Sequence, residues 1–169
     1  MVQVYILNFK NPLDLSSTFK HMSKRQIINQ PRECMIIMRA LLGLKQGYRW
    51  HVVTRMWQRC VPELLHYTRE CIKYANATYG GAENREKTAA EFAELEAMIF
   101  AKFPHAKDDF DDFPLWCYSP QVINSYKASI YIKNQGPAKF KPHTRKHKRY
   151  NYPLPLRSGK PPALFVDLK

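Results

Sequence analysis

Apolar residues recur at helical spacing in several stretches of this chain, and nowhere do they alternate for long. Cys34, Ile37, Met38 and Leu41 form one stripe. Val61, Leu64, Leu65, Thr68, Cys71, Ile72 and Ala75 form a second, and Phe92, Leu95 and Ile99 a third. Steps of three and four place such residues on one side of an α-helix. Punctuation then sets the ends. Asn11-Pro12 opens a turn, and Ser16 or Ser17 can cap a helix beginning near Thr18. Pro31 breaks that helix near Asn29-Gln30 and opens a new one, Pro31 to Leu42, which Gly43 ends. The stretch VVTRMWQRC reads as a short helix, and Pro62 opens one to about Ala77. Thr88 caps another to about Lys102, and Ser119-Pro120 starts the last, to about Asn134. GLKQGYRWH, TYGGAENREK and PHAKDDFDDFP read as the loops between them. Val2 to Asn8 alternates weakly and reads as a short strand or an extended arm.

These elements predict an all-α fold: a compact single-domain helical bundle over residues 1–134, with an extended N-terminal arm. An acidic insertion occupies about 82–112, and residues 135–169 form a basic, Pro-rich, extended C-terminal tail. A chain of 169 residues, 45% apolar, is long enough to bury a core. It has no run of eighteen apolar residues to span a membrane. VQVYILNF lacks the basic leader and cleavage site of a signal peptide. The cysteines Cys34, Cys60, Cys71 and Cys117 have no paired spacing, which predicts reduced core thiols rather than a disulfide framework. The expected setting is cytoplasmic or nuclear, a viral origin included.

Charge sharpens this picture. The formal net charge is +13, and nine of the fourteen acids lie between Glu83 and Asp112. The first sixty residues hold ten Lys and Arg against two acids, Asp14 and Glu33. Such asymmetry is the footprint of a protein that contacts phosphate backbones, without saying which kind. One carboxylate among so many cations invites three readings: a first-turn helix acid, an ion-pair partner, or a catalytic group beside a polyanion.

The chain lacks the Gly-x-Ser-x-Gly elbow, the phosphate-loop lysine motif and Gly-x-Gly-x-x-Gly. His143 and His147 have a zinc-like interval but no preceding cysteine pair, so no metal is expected, and no other cofactor. Lys24, Arg25, Arg32, Lys127 and Lys133 are candidate phosphate contacts in the body. In the tail, Lys139, Lys141, Arg145, Lys146, Lys148 and Arg149 interleave with Phe140, Tyr150 and Tyr152. Cations neutralise phosphates and aromatic faces stack on unpaired bases, although most charge runs are solvated faces. In GYRWH, Trp50 reads as a core aromatic anchoring its loop. Arg49 and His51 read equally as phosphate contacts and as structural caps. DDFDD, Asp108 to Asp112, reads as a solvated or partner-facing surface.

Three segments taken in order, QPRECMIIMRAL, YRWHVVTRMWQRCVPELLHYTRECIKYANATYG and INSYKASIYIKNQGPAKF, resemble the pyrimidine-dimer DNA glycosylases of the phage endonuclease V type and their bacterial relatives. The resemblance implies removal of a damaged pyrimidine followed by strand cleavage at the abasic site. It also implies damaged or abasic double-stranded DNA as the partner. The α-amine of a processed N-terminus, Val2 here, would be the nucleophile. Glu33 would be the acid–base group and Arg32 its phosphate-binding neighbour. The chain departs from the phage pattern at Gln26, where a His is expected, at Ile36, where an Arg is expected, and at Gln3, where a cation is expected. It adds the acidic insertion, a face for a protein partner, and a longer basic tail.

The implied chemistry is reasonable for these groups. An α-amine with a pKa of ~7.7–8 is partly unprotonated at neutral pH, and neighbouring cations increase that fraction. Attack on the sugar C1′ gives an imine, which permits elimination of the 3′ phosphate. A carboxylate stabilises the oxocarbenium-like state and moves protons. Two other readings stay open on the residues: a non-catalytic basic nucleoprotein component on the same scaffold, and an RNA-binding protein.

Overall fold

The computed structural model describes residues 4, 6–7, 11, 13–80, 83–107 and 113–134, apart from the side chains of residues 83, 84, 125, 128, 129 and 131–134. Among them are six α-helices and no strand: α1 (Leu15–Lys20), α2 (Lys24–Leu42), α3 (Val52–Trp57), α4 (Val61–Tyr79), α5 (Glu83–Lys102) and α6 (Pro120–Asn134). Short 3₁₀ turns lie at Gln46–Tyr48, Pro104–Lys107 and Leu115–Tyr118. The three long helices α2, α4 and α5 pack mutually. α1 lies on α4, α3 lies on α2, and the turn Leu115–Tyr118 lies on α6. The all-α bundle expected from periodicity is the fold observed. Residues 135–169, including the tail cations, lie outside the described residues, as do Val2 and the DDFDD run.

The stripes become the core. Cys34, Ile37, Met38, Val61, Leu64, Leu65 and Cys71 are buried, each worth about 1.5–3 kcal/mol for the larger aliphatic side chains. Phe19 carries α1 onto α4 by meeting Tyr67 edge-on at 5.5 Å and Tyr74 at 5.3 Å. Trp57 of α3 meets Trp116 edge-on at 5.0 Å. Three residues near the amino terminus are also built in. Val4, Ile6 and Leu7 are buried, and the Leu7 N–H donates to Thr18 Oγ1 at 2.9 Å. All four cysteines are buried thiols.

Three boundaries differ from the sequence reading. α1 is capped by Asp14, whose carboxylate accepts from the Ser17 N–H, so neither Ser16 nor Ser17 is the cap. The first break falls at residues 21–23 rather than at Asn29-Gln30. There Ser23 and Gln26 form a reciprocal capping box: the Gln26 N–H donates to Ser23 Oγ, and the Ser23 N–H donates to Gln26 Oε1 at 2.8 Å. α2 then runs through Pro31 without ending. Proline has no N–H to give to the carbonyl four residues earlier, that of Ile27. The Cys71 thiol of α4 donates to this carbonyl instead, at 3.6 Å. Burial holds the Cys71 pKa well above the ordinary thiol value, so the sulfur keeps its proton.

The third difference is α5. It begins at Glu83, not at Thr88, which lies buried inside it. Arg85 explains the early start, because its guanidinium reaches back to the Ala75 and Tyr79 carbonyls at 2.9 and 3.0 Å and closes the end of α4. The part of the insertion from Glu83 to Lys102 is thus a packed helix. Its Glu91 pairs with Arg39 of α2, and its Glu96 pairs with Arg69 of α4. Lys102 donates to the Leu41 and Leu42 carbonyls at 3.2 and 3.0 Å.

Candidate nucleic-acid interface

α2 carries the central group. Arg25 and Arg32, seven residues or two turns apart, share its outward face and are exposed. Glu33 is one step round the helix, between Arg32 and the buried Ile37, and is half-buried. On the same flank Gln30 is buried and accepts from the Tyr67 hydroxyl at 3.0 Å, which fixes α2 against α4. A regular helix held this way presents Glu33 on a rigid support. Glu33 is not a first-turn residue, however. With the helix starting at Lys24, Glu33 lies mid-helix, where the backbone N–H groups are engaged, so the stabilisation expected from a helix N-terminus does not reach it. The helix-end role belongs to Ser23 and Gln26.

Next to Glu33, the fully buried Cys34 thiol is pushed up to about 12, first by burial, with the Glu33 charge adding to the rise. Cys60 is also pushed up to about 12 by burial and then by Glu63. Neither thiol is poised as a nucleophile. No group of three or more metal-ligating side chains occurs among the described residues.

The other sequence candidates separate. Lys24 is exposed at the start of α2, with its ammonium 5.4 Å from the centre of the Tyr79 ring. His51 is the N-cap of α3: its Nδ1 accepts from the Val53 N–H at 3.3 Å. Burial lowers its pKa, which favours the neutral imidazole that can accept. Of the two readings for His51, capping is the contact seen. Arg49 is exposed and lies over the Trp50 ring, 5.4 Å from its centre. Trp50 is 74% exposed, which corrects its assignment to the core. The turn anchors itself through half-buried Tyr48 instead, which packs against the core. Lys127 is exposed on α6. Lys133 is on the same helix, its side chain outside those described. Lys139, Lys141, Arg145, Lys146, Lys148 and Arg149 lie outside the described residues.

Cations therefore divide by role. Arg39, Arg69, Arg85 and Lys102 serve the packing of α2, α4 and α5. Arg25, Arg32 and Arg49 point outward from α2 and the turn that packs on it. Sequence reasoning passed over Glu63, in the first turn of α4. It is half-buried, its Oε2 has no hydrogen-bond partner among the described residues, and burial raises its pKa. An acid directly after Pro62 was the available signal.

No helix among the described residues is long and apolar enough to cross a membrane. No solved structure matches the chain. Residues 4–77, which run from before α1 to within the last turn of α4 and include Arg25, Arg32, Glu33, Arg49 and His51, match the family model of pyrimidine dimer DNA glycosylase, the family that the sequence resembles.

Proposed function

We propose that this chain is a DNA glycosylase acting on pyrimidine dimers, with lyase activity at the resulting abasic site. The observation that carries the reading is the half-buried Glu33 beside the exposed Arg25–Arg32 face of α2, inside the segment that matches the glycosylase family. The arginines hold the phosphate backbone and offset its repulsion of the carboxylate. The α-amine of residue 2 attacks C1′, and the N–C1′ bond forms as the bond to the damaged base breaks. The leaving base takes up a proton. Glu33 stabilises the positive charge developing on the sugar. With the ring opened to an imine, Glu33 removes a C2′ proton and the 3′ phosphate leaves as a monoester. The lesion reaches this chemistry by kinking of the duplex or extrusion of a nucleotide.

Borohydride trapping on ultraviolet-irradiated or abasic duplex tests the proposal. The full chain, with Met1 removal checked by mass, should give a covalent protein–DNA adduct. Glu33→Gln should bind the same duplex within about threefold and cleave it at least ~100-fold more slowly, the range of general acid–base catalysis. Absence of any adduct from correctly processed protein that still binds DNA would leave the chain as a non-catalytic DNA-binding protein. Wild-type cleavage by Glu33→Gln would remove that residue from the mechanism.

A further inference from the structure

We propose that Trp50, assisted by Leu44, is a stacking wedge that enters the base stack of the duplex beside the lesion. This rests on the DNA reading above. Trp50 is 74% exposed and Leu44 59% exposed, both on the connection between α2 and α3. The connection is tightly wound. Gly43 takes a left-handed conformation, φ 85°, and closes α2, with the Leu44 N–H reaching the Arg39 carbonyl at 2.8 Å. Gln46 Nε2 donates to the Gly43 carbonyl at 3.2 Å. The Arg49 N–H bonds the Gln46 carbonyl, and the His51 N–H bonds the Tyr48 carbonyl, each at 3.1 Å. His51 then caps α3. The backbone on either side of Trp50 is thus fixed, and a rigid aromatic loses little conformational freedom on binding.

Charge complementarity names the occupant. The connection pairs cations with aromatic faces twice over: Lys45 lies 5.0 Å from the Tyr48 ring centre and Arg49 lies 5.4 Å from that of Trp50. A guanidinium on one face of the indole leaves the other for a base, while the charge meets a phosphate. The first sixty residues hold ten Lys and Arg against two acids, Asp14 and Glu33, so this part of the chain disfavours a cationic partner and favours a polyanion with exposed π-faces. The turn packs on α2, which carries Arg25, Arg32 and Glu33. A wedge there opens the stack beside the phosphate that Arg49 meets. Inserted apolar side chains kink duplexes at the cost of unstacking, which is smallest where a lesion has already weakened the stack.

The test uses the full chain with a duplex containing one tetrahydrofuran abasic analogue, which the lyase step does not cleave, and with the undamaged duplex. Trp50→Ala should weaken binding to the lesion duplex roughly tenfold or more and change binding to the undamaged duplex by less than about twofold. Trp50→Phe should recover most of the loss. Saturation with the lesion duplex should quench the wild-type indole emission, and the quench should vanish in Trp50→Phe, where only the indoles of Trp57 and Trp116 emit. Wild-type lesion preference in Trp50→Ala, or no quench at saturation, overturns the wedge while leaving the glycosylase reading intact. A wild-type dimer that Trp50→Ala converts to monomer, with no quench by DNA, assigns the face to a second copy and overturns it too. Failure of the wild type to bind either duplex removes the DNA reading itself.

Discussion

The passage of α2 through Pro31 rests on a thiol from another helix, and a double-mutant cycle measures that dependence. Cys71→Ala removes the S–H that donates to the Ile27 carbonyl. It also removes a fully buried sulfur. The lost volume costs about 1 kcal/mol, close to the value of one buried methylene. A buried carbonyl left without a donor costs about 1–3 kcal/mol more. A thiol is a weak donor and 3.6 Å is long, so the lower end applies. Cys71→Ala alone should therefore destabilise the fold by about 2 kcal/mol. In a Pro31→Ala background, the backbone N–H restored at that position reaches the Ile27 carbonyl along the helix, and Cys71→Ala should cost only the volume, about 1 kcal/mol. The coupling is the difference, about 1 kcal/mol. Pro31→Ala by itself gains up to about 3 kcal/mol of helix propensity, less the packing of a buried ring. Urea unfolding of the four proteins, compared at a shared urea concentration near their midpoints, gives the cycle. A coupling within about 0.3 kcal/mol of zero would show that the thiol does not substitute for the missing amide.

Two further predictions concern titration. His51 has its pKa lowered by burial, so the unfolded chain binds its proton more readily; its contribution is present above the ordinary value near 6.5 and is lost as the pH falls through the folded pKa. His51→Ala should cost about 1 kcal/mol at pH 7.5, typical of a lost N-cap, and distinctly less at pH 5, and an equal cost at both pH values would refute the neutral-imidazole cap. Glu63 has its pKa raised by burial, so its ionised form opposes folding, and stability falls as the pH rises from 4.5 through the folded value. Glu63→Gln should stabilise the protein at pH 7 by about 1 kcal/mol and have little effect at pH 4, read as melting temperatures across the range; a gain of similar size at pH 4 would point to packing instead.

The long-range features of this fold were the ones hidden in the sequence. α4 was legible because its stripe from Val61 to Ala75 is local information, written at intervals of three and four. The capping box at Ser23 and Gln26 was legible too, but Pro31 is a stronger local signal for a helix start and displaced it. What offsets the proline is Cys71, forty-four residues after Ile27, and no window along the chain contains both. The start of α5 was missed for a similar reason, since Arg85 works backward on the end of α4. For the site, the charge pattern singled out Glu33 with Arg25 and Arg32, and the structure puts all three on one helix. Charge pattern could not tell which cations face α5 and which face outward. That sorting comes from the acids Glu91 and Glu96 on a helix the sequence had marked as an insertion. Trp50 was misplaced because hydrophobicity predicts burial only on average, and a wound turn can hold an indole out in solvent.

The four buried thiols give this protein a set of built-in clocks. Alkylation requires the thiolate and access: burial denies access to all four and raises the pKa of Cys34, Cys60 and Cys71. Each cysteine therefore reacts only when its own surroundings open. Cys34 and Cys71 report parting of α2 from α4, Cys60 the joint between α3 and α4, and Cys117 the turn beneath α6. Mass-resolved labelling over time would rank these openings. If Cys117 yields first while Cys34 and Cys71 hold out to global unfolding, the α2–α4 pair that carries Glu33 is the last part of the molecule to come apart.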